Sequence, residues 1–540
     1  MGGGPVPWTL EIHVLDVGIG DSTLIIADGG GAGHTSMLID AGLADMASTV
    51  HEKVVAANLD SVDTILVSHY DRDHSAGVAT LLLADNLWHL CNSIALVAVS
   101  ALPAAGTPRA QIIARATARA AAAEAGAWGR DANLADAPGN AAANGVPAGA
   151  LDPAAALFGF NQAATKYGAR YRLVPGTAAI RSRVAMAAGI AVATRIATPG
   201  NPATLADVQD AARTAAFFQL QNCIPAEARF DTEGKYRTTR VIDIGSAGDP
   251  PQDYLLAVQG EVKISNIVVN VPTADRESIS VPALGSELLW DPAPPDQNAP
   301  VAIVISTPAL NVRQPTGTGW NGPNRPVSFR GGTPGNCTSI GIVLVFRDFS
   351  YFTAGDLPVS GENPIGNALV NHALPDGRGG FRGAAFNNIE SLRCSHHGSE
   401  QSTSDTFVGT ILPVTAMISS GINAGYNFPR QRVIDTLQNQ AAVLSVFLTN
   451  CDYTRRHVPR SDQNQVVDQL AAPNNKMWVA GDRQANHVIG RNRGDIKIHV
   501  DEAWATQVVG GMSYQVSYWE DDPPRPAPPT GIFTATVWWP

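Results

Sequence analysis

Apolar residues fall into short runs through the first 84 positions, punctuated by glycines: TLEIHVLDVG, STLIIADGGG, SMLIDAGL and, after the helix-like ASTVHEKVVAANL, TILVSHYDRDH. Runs of this length, rich in Val and Ile, predict strands. Their succession with a helix predicts an α/β layer whose functional loops follow the strands. From about 100 to 220 the pattern becomes Ala-rich, and ARATARAAAAEAGAW and NPATLADVQDAARTAAFFQL both carry helical spacing. Strand patterns return between about 236 and 330 in RTTRVIDIG, YLLAVQG, EVKISNIVVNV and APVAIVIS, broken by DPAPPDQNAP. A second α/β stretch begins near Gly335 with TSIGIVLVFRDFSYFTAGDL, NNIESLRCSHHGS, PVTAMISSG and the helix-like RQRVIDTLQNQ. The tail holds a stiff DDPPRPAPPT and then GIFTATVWWP, whose alternation fits an added edge strand. These shifts divide the chain into residues 1–84 and 335–460 as two halves of one α/β domain, 85–334 as an insertion and 461–540 as a C-terminal extension. The insertion is helical first and then strand-rich.

Composition narrows the function classes. Of 540 residues, 45% are hydrophobic and 16% charged, which excludes disorder driven by charge. Asp and Glu number 48 against 37 Lys and Arg, for a net charge of -11. The chain as a whole therefore does not attract polyanions, and an anionic substrate needs a local positive centre. Cys91, Cys223, Cys337, Cys394 and Cys451 are scattered and form no CxxC pair. That spacing argues against a disulfide framework and a thiolate zinc site, and for reduced thiols. The N-terminus lacks a basic stretch followed by an apolar one, and the longest uncharged run, around Leu87 to Pro108, is broken by Asn, His, Ser and Pro. A cytoplasmic protein with no membrane partner is expected; its oligomeric state is not legible.

The segment ILVSHYDRDHSAG carries the chemistry: an apolar strand runs directly into His69, Asp71, Asp73 and His74. Imidazole nitrogen and carboxylate oxygen suit a borderline or hard divalent ion, and four such side chains after a buried strand are hard to explain as solvated polarity. Asp356 in FSYFTAGDLP and the pair His396 and His397 in LRCSHHGSEQSTS also follow apolar strands. Taken alone, an aspartate after a strand is ordinarily a turn or cap residue, and paired histidines can be incidental. Together they place ligand types at the carboxyl ends of several strands, where open α/β sheets build their sites.

VLDVGIGDSTLI with LIDAG, SHYDRDHSAG, GNCTSIGIVLVFRDFSYFTAGDL, CSHHGSEQSTS, AMISSG and YNFPRQRVIDTL together resemble the metallo-β-lactamase superfamily. Within it they resemble the hydrolase domain of bacterial DNA-uptake (competence) proteins and their soluble relatives. The resemblance covers roughly residues 8–84 and 335–437. It implies a four-layer αβ/βα sandwich, here with a large Ala-rich helical and β insertion, and a metal centre with two zinc or manganese ions. By the same resemblance His69 and Asp71 hold one ion, Asp73 and His74 the other, Asp356 bridges them and His396 is the late histidine ligand. Asp40 then supports the site without ligating. Three positions depart from the family pattern: Asp71 stands where many relatives have histidine, Asn336 occupies another usual histidine position, and Phe428 replaces the histidine of a GHP motif. An oxygen at Asp71 favours a harder ion such as manganese, and an amide at Asn336 binds weakly.

The activity that the resemblance implies is metal-dependent hydrolysis of a phosphodiester by a metal-activated water, with nucleic acid among the candidate substrates. Asp73 both ligates and orients the water, while His397 and Ser399 are candidates for contacts to substrate. Plain packing by His397 and capping by Ser399 remain equally open. Hydrolysis of a small ester, lactone or lactam is the alternative within enzymes, and a non-catalytic binding protein that keeps the sandwich is the alternative outside them. The Ala-rich insertion either covers the site as a lid or packs outside it. Tyr453, Arg455, Arg456 and Arg460 form a basic and aromatic cluster that reads as solvated surface, and His457 beside them has no spacing that supports a role.

Overall fold

A computed structural model describes residues 7–30, 33–59, 61–82, 335–371, 374–375, 381–382, 388–421, 428–452, 476–480, 491–505, 512–518 and 532–537, with shorter stretches between 187 and 326. The described residues have mixed α/β content with two large mixed sheets. The first runs in the order Ile532–Val537, Met512–Ser517, Ile496–Asp501, Thr9–Val14, Thr23–Asp28, His34–Ile39, Val62–Leu66, Thr238–Asp243 and Asp275–Ser278. Pairing is antiparallel as far as His34–Ile39 and parallel beyond it. The second runs Gly319–Pro326, Asn311–Thr316, Val301–Thr307, Gly341–Phe346, Phe349–Thr353, Ser391–Arg393, Thr415–Ile418, Ser445–Leu448 and Met477–Val479, turning parallel after Phe349–Thr353.

Side-chain alternation explains the layering. Along Gly341–Phe346, Ile342, Leu344 and Phe346 join the core that contains Leu10, Ile12, Ile25 and Ile65 of the first sheet. Val343 and Val345 face the other way, into a core shared with Ile365 of helix Val359–Asn371, Phe407 of helix Asp405–Ile411 and Leu437 of helix Gln431–Asn439. Each such side chain withdrawn from water contributes about 1.5–3 kcal/mol. The outer face of Thr9–Val14 and Ile496–Asp501 carries Glu11, His13, Lys497 and His499 and is only half-buried, which gives those strands their strict alternation.

Most of the predicted elements lie where the pattern put them: the first four strands, helix Ala47–Ala56, helix Leu205–Gln221 and the edge strand Ile532–Val537. Among the described residues, six strands of the stretch 85–334 belong to the large sheets: Thr238–Asp243 and Asp275–Ser278 to the first, where Thr238–Asp243 pairs with Val62–Leu66, and Leu288–Trp290, Val301–Thr307, Asn311–Thr316 and Gly319–Pro326 to the second, where Val301–Thr307 pairs with Gly341–Phe346. Ile496–Asp501 and Met512–Ser517, within 461–540, likewise extend the first sheet. ARATARAAAAEAGAW, most of YLLAVQG and Tyr453 to Arg460 lie outside the described residues. Cys337 and Cys394 are buried and unpaired. Among the described residues no helix is long and apolar enough to cross a membrane.

Candidate metal centre

Six loops leave the carboxyl ends of their strands on one edge of the two sheets: 15–22, 40–46, 67–74, 354–358, 394–399 and 419–421. Close backbone packing positions them. Gly355 has φ +50, and a Cβ there would stand 2.6 Å from Ser68 Oγ, so only glycine lets the Asp356 turn approach the histidine loop. His396 and His397 have φ of 52° and 53°, and Asp40 has φ of 56°. Left-handed backbone at non-glycine residues costs about 1–3 kcal/mol each and collects at functional sites. Two adjacent left-handed residues aim both imidazoles inward, and the turn is tied down where the His396 N–H donates to Gly355 O at 3.0 Å and the Arg430 N–H to Gly398 O at 2.8 Å.

Asp356 is the centre of the cluster. His74 Nε2 lies 3.1 Å and His397 Nε2 3.7 Å from its Oδ1, and His396 Nε2 lies 3.5 Å and His69 Nε2 3.9 Å from its Oδ2. Asp71 Oδ2 stands 3.6 Å from His69 Nε2, and Asp73 Oδ2 stands 3.4 Å from His397 Nε2. Two groups of donor atoms each converge within 4.8 Å: His69, His74 and Asp356, and Asp73, His74 and His397. The buried atoms His69 Nε2, His74 Nε2, His397 Nε2 and Asp356 Oδ1 make no hydrogen bond among the described residues. Buried polar atoms are nearly always satisfied, so four orphans pointing at one space fit a divalent cation.

Carboxylates dominate the field of the cluster, which favours positive charge within it. Burial lowers the affinity of His74 for a proton, but Asp356 and Asp40 on either side overcome it and hold the group well above its ordinary range. Burial raises Asp356, and the surrounding histidines outweigh it and hold the carboxyl well below its ordinary range. Burial raises the Asp73 carboxyl, but the nearby His397 and His74 outweigh it and hold the group at about 2. His396 is pushed down, first by burial, which leaves its nitrogens available as ligands.

The supporting residues are equally defined. Asp40 Oδ2 lies 2.8 Å from His74 Nδ1 and accepts from Ser68 Oγ at 2.6 Å, and Asp40 Oδ1 accepts the Ser68 N–H at 2.8 Å. In a further group of Asp21, Asp40 and His74 Nδ1, the Arg393 guanidinium pairs with Asp21, and Ser68 and His74 engage both oxygens of Asp40, so that among the described residues only Asp21 Oδ1 makes no hydrogen bond. Asn336 Nδ2 stands 3.3 Å from the His396 ring nitrogens. Phe428 stacks on His397 with ring centroids 6.1 Å apart and meets the edge of His396 at 5.3 Å. Ser399 Oγ accepts the Gln401 N–H at 3.2 Å, a turn contact, and the side chain lines the cleft over the site. That cleft has a volume of about 620 Å³, with Ile19, Leu43 and Phe428 as apolar walls and Arg72 and Arg430 as cations.

The structure thus brings together His69, Asp71, Asp73, His74, Asp356, His396, His397 and Ser399. His397, for which the sequence left a substrate contact and plain packing equally open, sits with Asp73 and His74 as a third donor. The sequence reading missed Asp21, Ser68 and Arg393. Asp21 carried a usable signal, an acid in a glycine turn after a strand, whereas Arg393 carried none.

Comparison with known proteins adds a partial likeness. No family model matches the chain. A stretch of 106 residues is 31% identical to ComE operon protein 3 of Bacillus subtilis (strain 168), and it covers 20% of this chain and 12% of that protein. The chain is therefore similar to a small part of a much longer relative.

Proposed function

We propose that this chain is a metal-dependent hydrolase on a four-layer αβ/βα sandwich of the metallo-β-lactamase type, acting on phosphodiesters. The observation that carries the proposal is a set of four buried atoms without a hydrogen bond among the described residues: Nε2 of His69, His74 and His397, and Oδ1 of Asp356 on which they converge. His69, Asp71, Asp356 and His396 would hold one zinc or manganese ion, and Asp73, His74, Asp356 and His397 the other. Bound divalent ions supply Lewis acidity for a phosphoryl oxygen and acidify a neighbouring water from 15.7 towards about 7. The chain's own residues do the rest: Arg72 and Arg430 offer positive charge to an anionic substrate, and Ile19, Leu43 and Phe428 limit water in the cleft. Asp73, kept ionised by its neighbours, would orient the attacking water through Oδ2.

The test is turnover of bis(4-nitrophenyl) phosphate by the full chain with added manganese or zinc, run beside a lactone and a lactam. Phosphodiester cleavage that Asp73→Ala nearly abolishes supports the proposal. Full activity in Asp73→Ala overturns it. Exclusive turnover of the lactone or lactam would move the activity to small cyclic substrates, and bound ions without turnover would identify a binding protein.

A further inference from the structure

Behind the site lies a charge pair that the proposed chemistry does not use. Arg393, the last residue of strand Ser391–Arg393, has no exposed surface, and it forms an ion pair with Asp21, itself 2% exposed. Arginine is almost never fully buried unless paired, and its Nε and Nη1 here make no hydrogen bond among the described residues. The pair joins the two sheets, since Asp21 belongs to the loop before strand Thr23–Asp28 of the first and Arg393 to a strand of the second.

The Asp21 loop is in turn built into one half of the site. The Asp21 N–H donates to Asp73 O at 3.1 Å, and Asp21 O accepts the Gly42 N–H at 2.8 Å. Asp21 Oδ2 stands 4.0 Å from His74 Nδ1. A Cβ on Gly20 would lie 2.7 Å from the same Asp73 carbonyl oxygen, so the loop and the ligand backbone are in direct contact. Ser419 Oγ donates to Gly20 O at 3.0 Å, and Ser419 O lies 3.1 Å from His397 Nδ1. Apart from the Gly42 contact, which ties the loop to the Asp40 turn, these contacts fall on Asp73, on His74 or on Ser419, which meets His397.

We infer that Asp21 and Arg393 are positioning residues for the Asp73, His74 and His397 half of the centre, and that their ion pair sets the affinity of that half for its metal ion. The inference rests on the metal-binding reading given above. Its physical basis is that a ligand side chain needs a fixed backbone, and the ion pair pins the loop against which the Asp73 backbone rests. A long-range field from the two charges is the competing account, and the two differ in sign. Through the field alone, loss of the Arg393 cation would strengthen binding and loss of the Asp21 anion would weaken it. Through positioning, either loss weakens the same step.

The experiment is calorimetric titration of the metal-stripped full chain with Mn(II) and, separately, Zn(II). The step belonging to this half is the one that Asp73→Asn removes. In the double variant Asp21→Asn with Arg393→Met both charges go and the volumes stay similar. That step is expected to weaken on the order of 10–100-fold, while the other stays within about twofold. A double variant indistinguishable from wild type, with Arg393→Met alone binding more tightly, overturns the inference in favour of the field. Equal weakening of both steps overturns it in favour of general loss of structure. Arg393→Lys keeps the charge but loses the planar fork, so it decides the matter should the double variant not fold. Selective weakening in Arg393→Lys supports positioning, and a wild-type profile counts against it. Uptake of no ion by the wild-type chain sinks the metal reading and the inference with it. Two ions with unaltered steps in the variants removes the inference alone.

Discussion

Asp40 Oδ2 lies 2.8 Å from His74 Nδ1, on the opposite side of the imidazole from Asp356, whose Oδ1 lies 3.1 Å from Nε2. A ring gripped at one nitrogen by a carboxylate presents the other in a fixed tautomer and direction. Asp40 is itself fixed by two hydrogen bonds from Ser68. Asp40→Ala is therefore expected to lower metal affinity about 10–100-fold. Competition with a chromophoric chelator measures it, and undiminished affinity would show that packing alone holds the ring.

Gly77 lies in the helical stretch 72–82 and tests how closely that stretch must approach the Asp40 turn. A Cβ at this position would fall 1.9 Å from Ala41 O, and the Gly77 N–H donates to Gly42 O at 2.8 Å. Backbone cannot yield as a flexible side chain can, so Gly77→Ala is expected to destabilise the fold by about 1–3 kcal/mol. The readout is a lower denaturant midpoint at unchanged slope. A midpoint equal to wild type would mean that the two segments separate freely.

Glu390 gives a pH dependence away from the metal residues. Burial pushes its carboxyl up to about 8, against the opposing hydrogen bonds from Ser350, one of them from the Ser350 N–H at 2.7 Å. The folded chain thus binds this proton more tightly than the unfolded chain, whose glutamate has the ordinary value of 4.5. The group contributes its full stability below about 4.5 and loses it as the pH rises to about 8. Glu390→Gln, which mimics the protonated form, is expected to flatten the fall in denaturant midpoint between these limits. An identical pH profile in the variant would show that Glu390 does not titrate there.

The candidate metal loop was legible because His69, Asp71, Asp73 and His74 follow one apolar strand within six positions, where each polar residue departs from a clear local pattern. Asp356 and the pair at 396–397 were weak signals alone and gained weight only because each also follows an apolar strand. The choice between His396 and His397 was not legible, because adjacent residues share every sequence signal and their directions depend on two left-handed dihedrals. Arg393 was hidden by chemistry: an arginine normally reaches solvent, and its partner Asp21 is distant in sequence. The place of Thr238–Asp243 beside Val62–Leu66 was hidden by topology, since a strand pattern does not name its parallel neighbour across a long connection.

The metal content of the purified chain after dialysis against Mn(II) or Zn(II), compared between wild type and Asp356→Ala, tests the central claim most directly. About two ions per wild-type chain, with at least one lost in Asp356→Ala, is the result expected from donor atoms that meet around this carboxylate. A wild-type chain that retains none, or an Asp356→Ala variant that retains as many as the wild type, would contradict it.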